Sequence, residues 1–144
     1  MIFHISFFIF SLLLSYTDFT RYRIPNITII TLFSFLLIFG YLENQLFLYS
    51  FIISFTILIF FVIILIIIPK MILGGGDIKY MMVIALYLEP IIFPLFLLST
   101  GIIQLFFLIF YQKVLKRKVA PMAPAMFLAV IVSKIFFAYG IYTF

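Results

Sequence analysis

The chain has very few of the residues that cover a water-soluble protein or bind a metal ion. It contains no cysteine, one histidine and four acidic residues, and charged residues make up only 9% of its 144 positions. The absence of cysteine excludes disulfides, thiol catalysis and cysteine-ligated zinc, and His4 alone is too little for a histidine-rich metal site. So few charged groups cannot cover the surface of a soluble domain of this size.

What the chain has in abundance is apolar side chains. Hydrophobic residues make up 68% of it, with 22 phenylalanines, and its mean hydropathy is +1.45. These values are typical of a polytopic membrane protein. We therefore predict an all-α protein that forms one transmembrane domain over residues 1–144, with the lipid bilayer around it. The net charge of +5 is attributed to the cytoplasmic excess of Lys and Arg in membrane proteins, not to a nucleic-acid partner.

Six apolar runs, separated by short polar or proline-containing stretches, predict six membrane-spanning helices. Their approximate bounds are 2–17, 26–42, 46–68, 77–90, 91–111 and 124–142. The first run could instead be a signal peptide, but it lacks a basic amino-terminal region and an Ala-x-Ala cleavage site. The fourth is only ~18 Å long, against a hydrocarbon core of ~30 Å. Either it continues towards Pro94, or water reaches its Asp77 end below the headgroups.

The basic residues give this topology an orientation, with both termini outside the cell membrane. Glu43 and Glu89 then lie outside, and the basic residues lie inside with the exception of Lys134. The inside set is Arg21, Arg23, Lys70, Lys79, Lys113, Lys116, Arg117 and Lys118. We expect Lys134 to extend to the outer headgroups, and His4 to lie among them as well.

The most unusual stretch of the chain places three glycines, Gly74, Gly75 and Gly76, directly before Asp77. A glycine costs about 1 kcal/mol relative to alanine inside a helix. An ionisable group in or near hydrocarbon costs at least ~2.5 kcal/mol. The predicted topology brings Asp18, at the end of the first span, to the same cytoplasmic boundary as Asp77. We therefore expect the chemistry of the protein to lie between these two aspartates.

Two facing carboxyl groups that share one proton can hydrolyse a peptide bond. The ionised group activates a water molecule, and the protonated group supplies a proton to the leaving nitrogen. Glycines allow a substrate backbone to approach closely. The available ligand types indicate neither a metal nor a cofactor. Asp77 begins a predicted helix, whose positive dipole end favours its charged form. The alternative is that Asp18 and Asp77 are merely helix-boundary residues in contact with water or arginine.

At these residues the chain resembles the type IV prepilin peptidases, a family of GxGD-type intramembrane aspartyl proteases. The most specific motif is Gly74-x-Gly76-Asp77 followed by Ile78 and Lys79. The segment from Asp18 to residue 26 resembles the family's first catalytic segment, and residues 119–125 resemble the segment that opens its last helix. The residues that support these motifs are Arg21, Arg23, Pro25, Asn26, Lys79, Pro121 and Pro124.

The resemblance implies an aspartic endopeptidase of the inner (cytoplasmic) membrane with Asp18 and Asp77 as its catalytic pair. Its substrates would be prepilin-like precursors, which are cut at the cytoplasmic face after a short basic leader and before an apolar helix. Bifunctional members carry an additional cysteine-containing cytoplasmic segment that this chain lacks. It therefore looks like the small peptidase-only branch that serves tight-adherence (Flp-type) pili, without N-methyltransferase activity. In a regular helix Lys79 points ~200° away from Asp77, so no catalytic role is assigned to it.

Other interpretations are a small proton- or ion-coupled transporter, in which the aspartates carry the ion, and a non-catalytic assembly protein of a pilus or secretion machine. A presenilin-type protease is a further neighbour, but Thr17 stands where that family has a tyrosine before its aspartate. The basic cluster between Lys113 and Lys118 is explained by topology and anionic lipid, at about 1 kcal/mol per residue. Alternatively, it docks an acidic part of the substrate.

Overall fold

The computed structural model describes residues 1–68 and 74–141, and within these ranges every regular element is a helix. The elements are α1 (Ile2–Arg21), α2 (Asn26–Leu42), α3 (Leu48–Ile67), α4 (Gly75–Tyr87), α5 (Phe93–Lys113) and α6 (Ala123–Ala138). The predicted all-α class is therefore confirmed. The expectations for Lys70 and for Tyr142 at the end of the last predicted span lie outside the described residues.

Two helices, α1 and α5, are long and apolar enough to cross a membrane. Helices α2 and α6 and the Leu48–Ile64 part of α3 are apolar but shorter, and α4 has only 13 residues. Large apolar side chains such as Phe55 and Phe106 are more than half exposed on the outside of the bundle. Apolar surface on this scale indicates contact with lipid or with another apolar surface rather than with water.

Helices α1, α2, α4 and α6 form the centre of the bundle, while α3 packs along α4 and α5 packs along α6. The core contains side chains from each central helix, including Phe7, Leu32, Ile84 and Met126, which are fully buried. The short helix α4 lies between α2, α3 and α6, so burial stabilises it where its length would not. This packing sets the start of α4 beside the end of α1.

Both aspartate-bearing helices have different ends from those that the sequence predicted. Helix α1 continues through Asp18 to Arg21 and is closed by Tyr22, which has a left-handed backbone with φ of 52°. Helix α4 begins at Gly75, so Asp77 is its third residue rather than its first. The reason is a capping interaction, because the Asp77 carboxylate accepts a hydrogen bond from the backbone N–H of Gly74 at 3.3 Å. Such a contact satisfies an amide that the helix leaves without a partner.

At the opposite end of the bundle, a cluster of polar side chains joins α1, α4 and α6. The Lys134 ammonium donates a hydrogen bond to the Tyr87 hydroxyl at 2.8 Å, and Nδ1 of His4 lies 3.0 Å from the same hydroxyl. The Tyr87 ring stacks on Phe7 with ring centroids 3.6 Å apart. Their expected position at the headgroups stays a prediction, and the Tyr87 phenol gives both side chains a partner within the protein.

Candidate active site

A cavity of about 390 Å³ opens where the end of α1, the α1–α2 connection and the start of α4 meet. Two separate stretches of sequence, residues 18–26 and 74–79, form its wall, and each contributes one of the two aspartates. The lining residues are Asp18, Tyr22, Arg23, Ile24, Asn26, Gly74, Gly75, Gly76, Asp77 and Lys79. The structure thus brings together most of the residues that the sequence motifs single out.

Asp18 is nearly buried, with 5% of its surface exposed, in the last turn of α1. Its Oδ2 atom accepts a hydrogen bond from the backbone N–H of Ala123, the first residue of α6, at 2.9 Å. A carboxylate at a helix amino terminus satisfies a free backbone donor and faces the positive end of the helix dipole. Asp18 therefore holds the start of α6 in place while it lines the cavity. Sequence reasoning missed this contact, although Pro124 marks a helix start there.

Asp77 is half-buried and faces the same cavity from the first turn of α4. The two carboxylates thus line one cavity although they come from different helices. Asp18 also lies at a helix amino terminus, because it accepts the backbone N–H of Ala123 at the start of α6. Both carboxylates are oriented by a backbone N–H, and the contact of Asp18 is the shorter of the two.

The three glycines have three different surroundings. A Cβ atom on Gly76 would lie 3.0 Å from Cβ of Ile24, so the α1–α2 connection packs directly against the start of α4. A Cβ atom on Gly74 would lie 3.1 Å from Oδ2 of Asp77, whereas one on Gly75 would meet no atom within 4 Å. Gly74 and Gly76 thus make room for the carboxylate and for Ile24, and Gly75 leaves the cavity wall open.

Two further motif residues are joined across the cavity mouth. The Lys79 ammonium donates a hydrogen bond to Oδ1 of Asn26 at 3.1 Å, which links α4 to the start of α2. Lys79 therefore lines the cavity from its rim, even though its helical position points it away from Asp77. Arg23 also lines the wall.

The remaining motif residues act at helix ends rather than on the cavity wall. Pro25 is the residue that precedes α2, and Pro124 is the second residue of α6. Arg21 is the last residue of α1, and Pro121 is buried just before α6. These positions indicate a role in fixing helix ends.

Tyr22 is a cavity residue that the sequence motifs did not single out, whereas Ile24 belongs to the segment after Asp18 on which the resemblance rests. The Arg117 guanidinium donates a hydrogen bond to the Tyr22 hydroxyl at 3.0 Å, and its central carbon lies 5.6 Å from the centre of the Tyr22 ring. One member of the basic cluster therefore reaches the edge of the cavity through an aromatic side chain. The only sequence signal was the position of Tyr22 between Arg21 and Arg23.

The sequence model of the type IV leader peptidase family matches residues 5–109, a range that includes both aspartates and the glycine run. A match over most of the chain defines the class of protein, which is a proteolytic enzyme of the aspartic type. The chain belongs to the type IV leader peptidase family, whose members are membrane proteins. Among curated proteins and among solved structures, no significant match is found. The resemblance inferred from the motifs is thereby confirmed at the level of the family.

Proposed function

We propose that this protein is an intramembrane aspartyl endopeptidase that removes the short basic leader from prepilin-like precursors, with Asp18 and Asp77 as its catalytic pair. The observation that carries the proposal is the position of these two carboxylates, which come from different helices and line one cavity beside a run of glycines. The family of the chain supplies the general activity.

The proposed reaction uses one shared proton. The ionised carboxylate takes a proton from water as the water oxygen attacks the carbonyl carbon of the scissile bond. The protonated carboxyl group then transfers its proton to the leaving nitrogen as the carbon–nitrogen bond breaks. The backbone N–H groups of Ala123 and Gly74 orient the two side chains before substrate binds. Preorganised carboxylates of this kind do not have to be ordered during the reaction.

The wall beside the aspartates suits an extended substrate. Because nothing occupies the space next to Gly75, a peptide backbone can approach the start of α4 closely. Such an approach would place a scissile carbonyl between the helix ends that carry the two carboxylates.

We further propose that all six helices cross the inner membrane, with both termini outside and the cavity at the cytoplasmic face. The charges support this orientation, because Arg23 and Lys79 lie at the cavity, whereas Glu43 and Glu89 follow the opposite ends of α2 and α4. Basic residues are characteristic of the cytoplasmic side. The chain lacks cysteine, which supports the peptidase-only, tight-adherence branch and an activity without N-methylation.

Co-expression with an epitope-tagged prepilin tests the proposal. We expect the unaltered protein to convert the precursor to a shorter product on a gel, and Asp18→Asn and Asp77→Asn to abolish conversion. Glu89→Gln is the matched control, because it also exchanges a carboxylate for an amide but lies at the other end of α4. Normal processing by either aspartate variant would contradict the proposal. So would a precursor that stays uncleaved when the unaltered protein is correctly inserted in the membrane.

A further inference from the structure

A groove runs along α5 and opens beside the aspartate pair. Its first part, of about 250 Å³, is lined by Asp77 and Lys118 together with Gln104, Leu108 and Met122. The last three residues also line a second part of about 250 Å³, which continues along α5 past Gly101 to Leu97. Because Asp77 lines both the active-site cavity and this groove, the groove leads into the candidate catalytic site.

The groove changes from polar to apolar along its length. Charged side chains, Asp77 and Lys118, stand at the cavity end, and the far end is almost entirely apolar. On α5 the lining positions recur every three or four residues, from Leu97 through Gly101 and Gln104 to Leu108, and therefore share one helix face. A Cβ atom on Gly101 would meet no atom within 4 Å, so the floor of the groove is open at its middle.

One side chain that lines the groove has a polar atom without a hydrogen-bond partner in the described parts of the chain. Within residues 1–68 and 74–141, Oε1 of Gln104 is buried and accepts no hydrogen bond. A buried acceptor without a donor destabilises a protein by about 1–3 kcal/mol. Gln104 lines both the charged and the apolar parts of the groove, so rotation of its side-chain amide would present this unpaired acceptor to a ligand that carries a donor.

We infer that the groove binds the apolar helix of the precursor, the segment that directly follows the leader, and that Gln104 caps its amino terminus. This inference rests on the proposed function. The first four backbone N–H groups of a helix lack partners within that helix. A precursor whose scissile bond lies at Asp77 and whose helix begins just beyond it presents such groups near Gln104. An acyl chain of a lipid would fill the apolar part equally well, but it carries no donor for Oε1.

The order of groups along the groove matches the order along such a precursor. The scissile bond lies at Asp77, the free N–H groups follow at Gln104, and the apolar body of the helix extends past Gly101 to Leu97. The seven helical steps from Gln104 back to Leu97 correspond to ~10 Å, or about two turns of the bound segment.

Site-specific photocrosslinking tests the inference in the Asp77→Asn background, which leaves the precursor uncut. A photoreactive residue at Leu97, in the groove, should form an adduct with the co-expressed precursor. The same residue at Leu98, which is outside the groove and 61% exposed, should form little. Equal adducts at both positions, or none at Leu97, would overturn the inference. Cleavage of the precursor by the unaltered protein is measured in parallel. If the precursor is cleaved but forms no adduct at Leu97, only the groove inference is overturned. If it is not cleaved at all, the proposed function itself is contradicted.

Two substitutions test the groove through catalysis. Gly101→Leu places a side chain in the middle of the groove, where its Cβ atom meets no neighbouring atom, and we expect precursor cleavage about tenfold slower. Ile102→Phe, which adds bulk outside the groove, is the control and should retain the rate of the unaltered enzyme. Gln104→Leu removes the unpartnered acceptor, so it should slow cleavage while raising the unfolding temperature of the protein in detergent. A Gln104→Leu enzyme with an unchanged cleavage rate would contradict the capping role.

Discussion

The Asp18 carboxylate, near the end of α1, is hydrogen-bonded at 2.9 Å to the backbone N–H of Ala123, with which α6 begins. A single side chain thus lines the candidate active site and fixes the start of another helix. Its chemical and structural contributions can be separated, because an amide oxygen can accept the same hydrogen bond.

We predict that Asp18→Asn and Asp18→Ala both abolish cleavage but differ in stability. Asparagine keeps an acceptor for Ala123, whereas alanine leaves a buried N–H without a partner and should lower the free energy of unfolding by about 1 kcal/mol. Denaturation in detergent micelles measures the difference. Equal stability of the two variants would show that the bond to Ala123 contributes little.

The glycine run offers a second prediction. Gly76→Ala places a Cβ atom 3.0 Å from Ile24, so the start of α4 must shift, and we expect about tenfold slower cleavage. Gly75→Ala meets no neighbouring atom of the protein, so α4 should become up to about 1 kcal/mol more stable. Its Cβ atom enters the space proposed for the substrate backbone, so cleavage should slow as well. The unfolding temperature therefore separates the two variants, because Gly76→Ala should lower it and Gly75→Ala should not. Equal losses of stability in both would mean that the run is needed for flexibility rather than for space.

The basic cluster should not act as one unit. Arg117 bonds to Tyr22 at the cavity edge, whereas Lys113, at the end of α5, is exposed. We predict that Arg117→Gln slows cleavage about threefold, as expected for an exposed contact, and that Lys113→Gln leaves it unchanged. Tyr22→Phe, which keeps the ring and removes the hydroxyl, should fall between them. Equal effects of the Arg117 and Lys113 substitutions on cleavage rate would favour a general role of charge, such as attraction to anionic lipid.

Tyr87 allows a test of the cluster at the far end of the bundle. Tyr87→Phe keeps the ring that stacks on Phe7 but removes the hydroxyl that accepts from Lys134. Because the lost bond involves a charged donor, we expect a decrease of about 1.5–3 kcal/mol in the free energy of unfolding. The control is Tyr41→Phe, since Tyr41 is 78% exposed. Unfolding in detergent reports the difference, and equal stability of the two variants would contradict it.

Much of the fold and the centre of the site followed from local sequence patterns. Apolar runs interrupted by prolines and short polar stretches predicted six helices, and a common helix-end position for Asp18 and Asp77 predicted that they lie together. The structure contains six helices in its described residues and places both aspartates on one cavity.

Other features depend on contacts between distant parts of the chain. The partner of Asp18 is 105 residues away in sequence, and no periodicity encodes that pairing. The same holds for Lys134, whose bond to the Tyr87 hydroxyl joins residues 47 positions apart in sequence. The helix start at Gly75 depended on a capping contact between Asp77 and Gly74, which single-residue helix propensities do not describe.

Helix α1 is attached to its neighbours at both of its ends, through Asp18 to α6 and through His4 to the hydroxyl of Tyr87, which Lys134 also contacts. A helix anchored in this way resists sliding along its own axis, because a slide would stretch both sets of bonds. The depth of Asp18 relative to Asp77 is therefore set by the bundle. Any motion that changes the separation of the two carboxylates during a catalytic cycle must consist mainly of helix rotation or tilt.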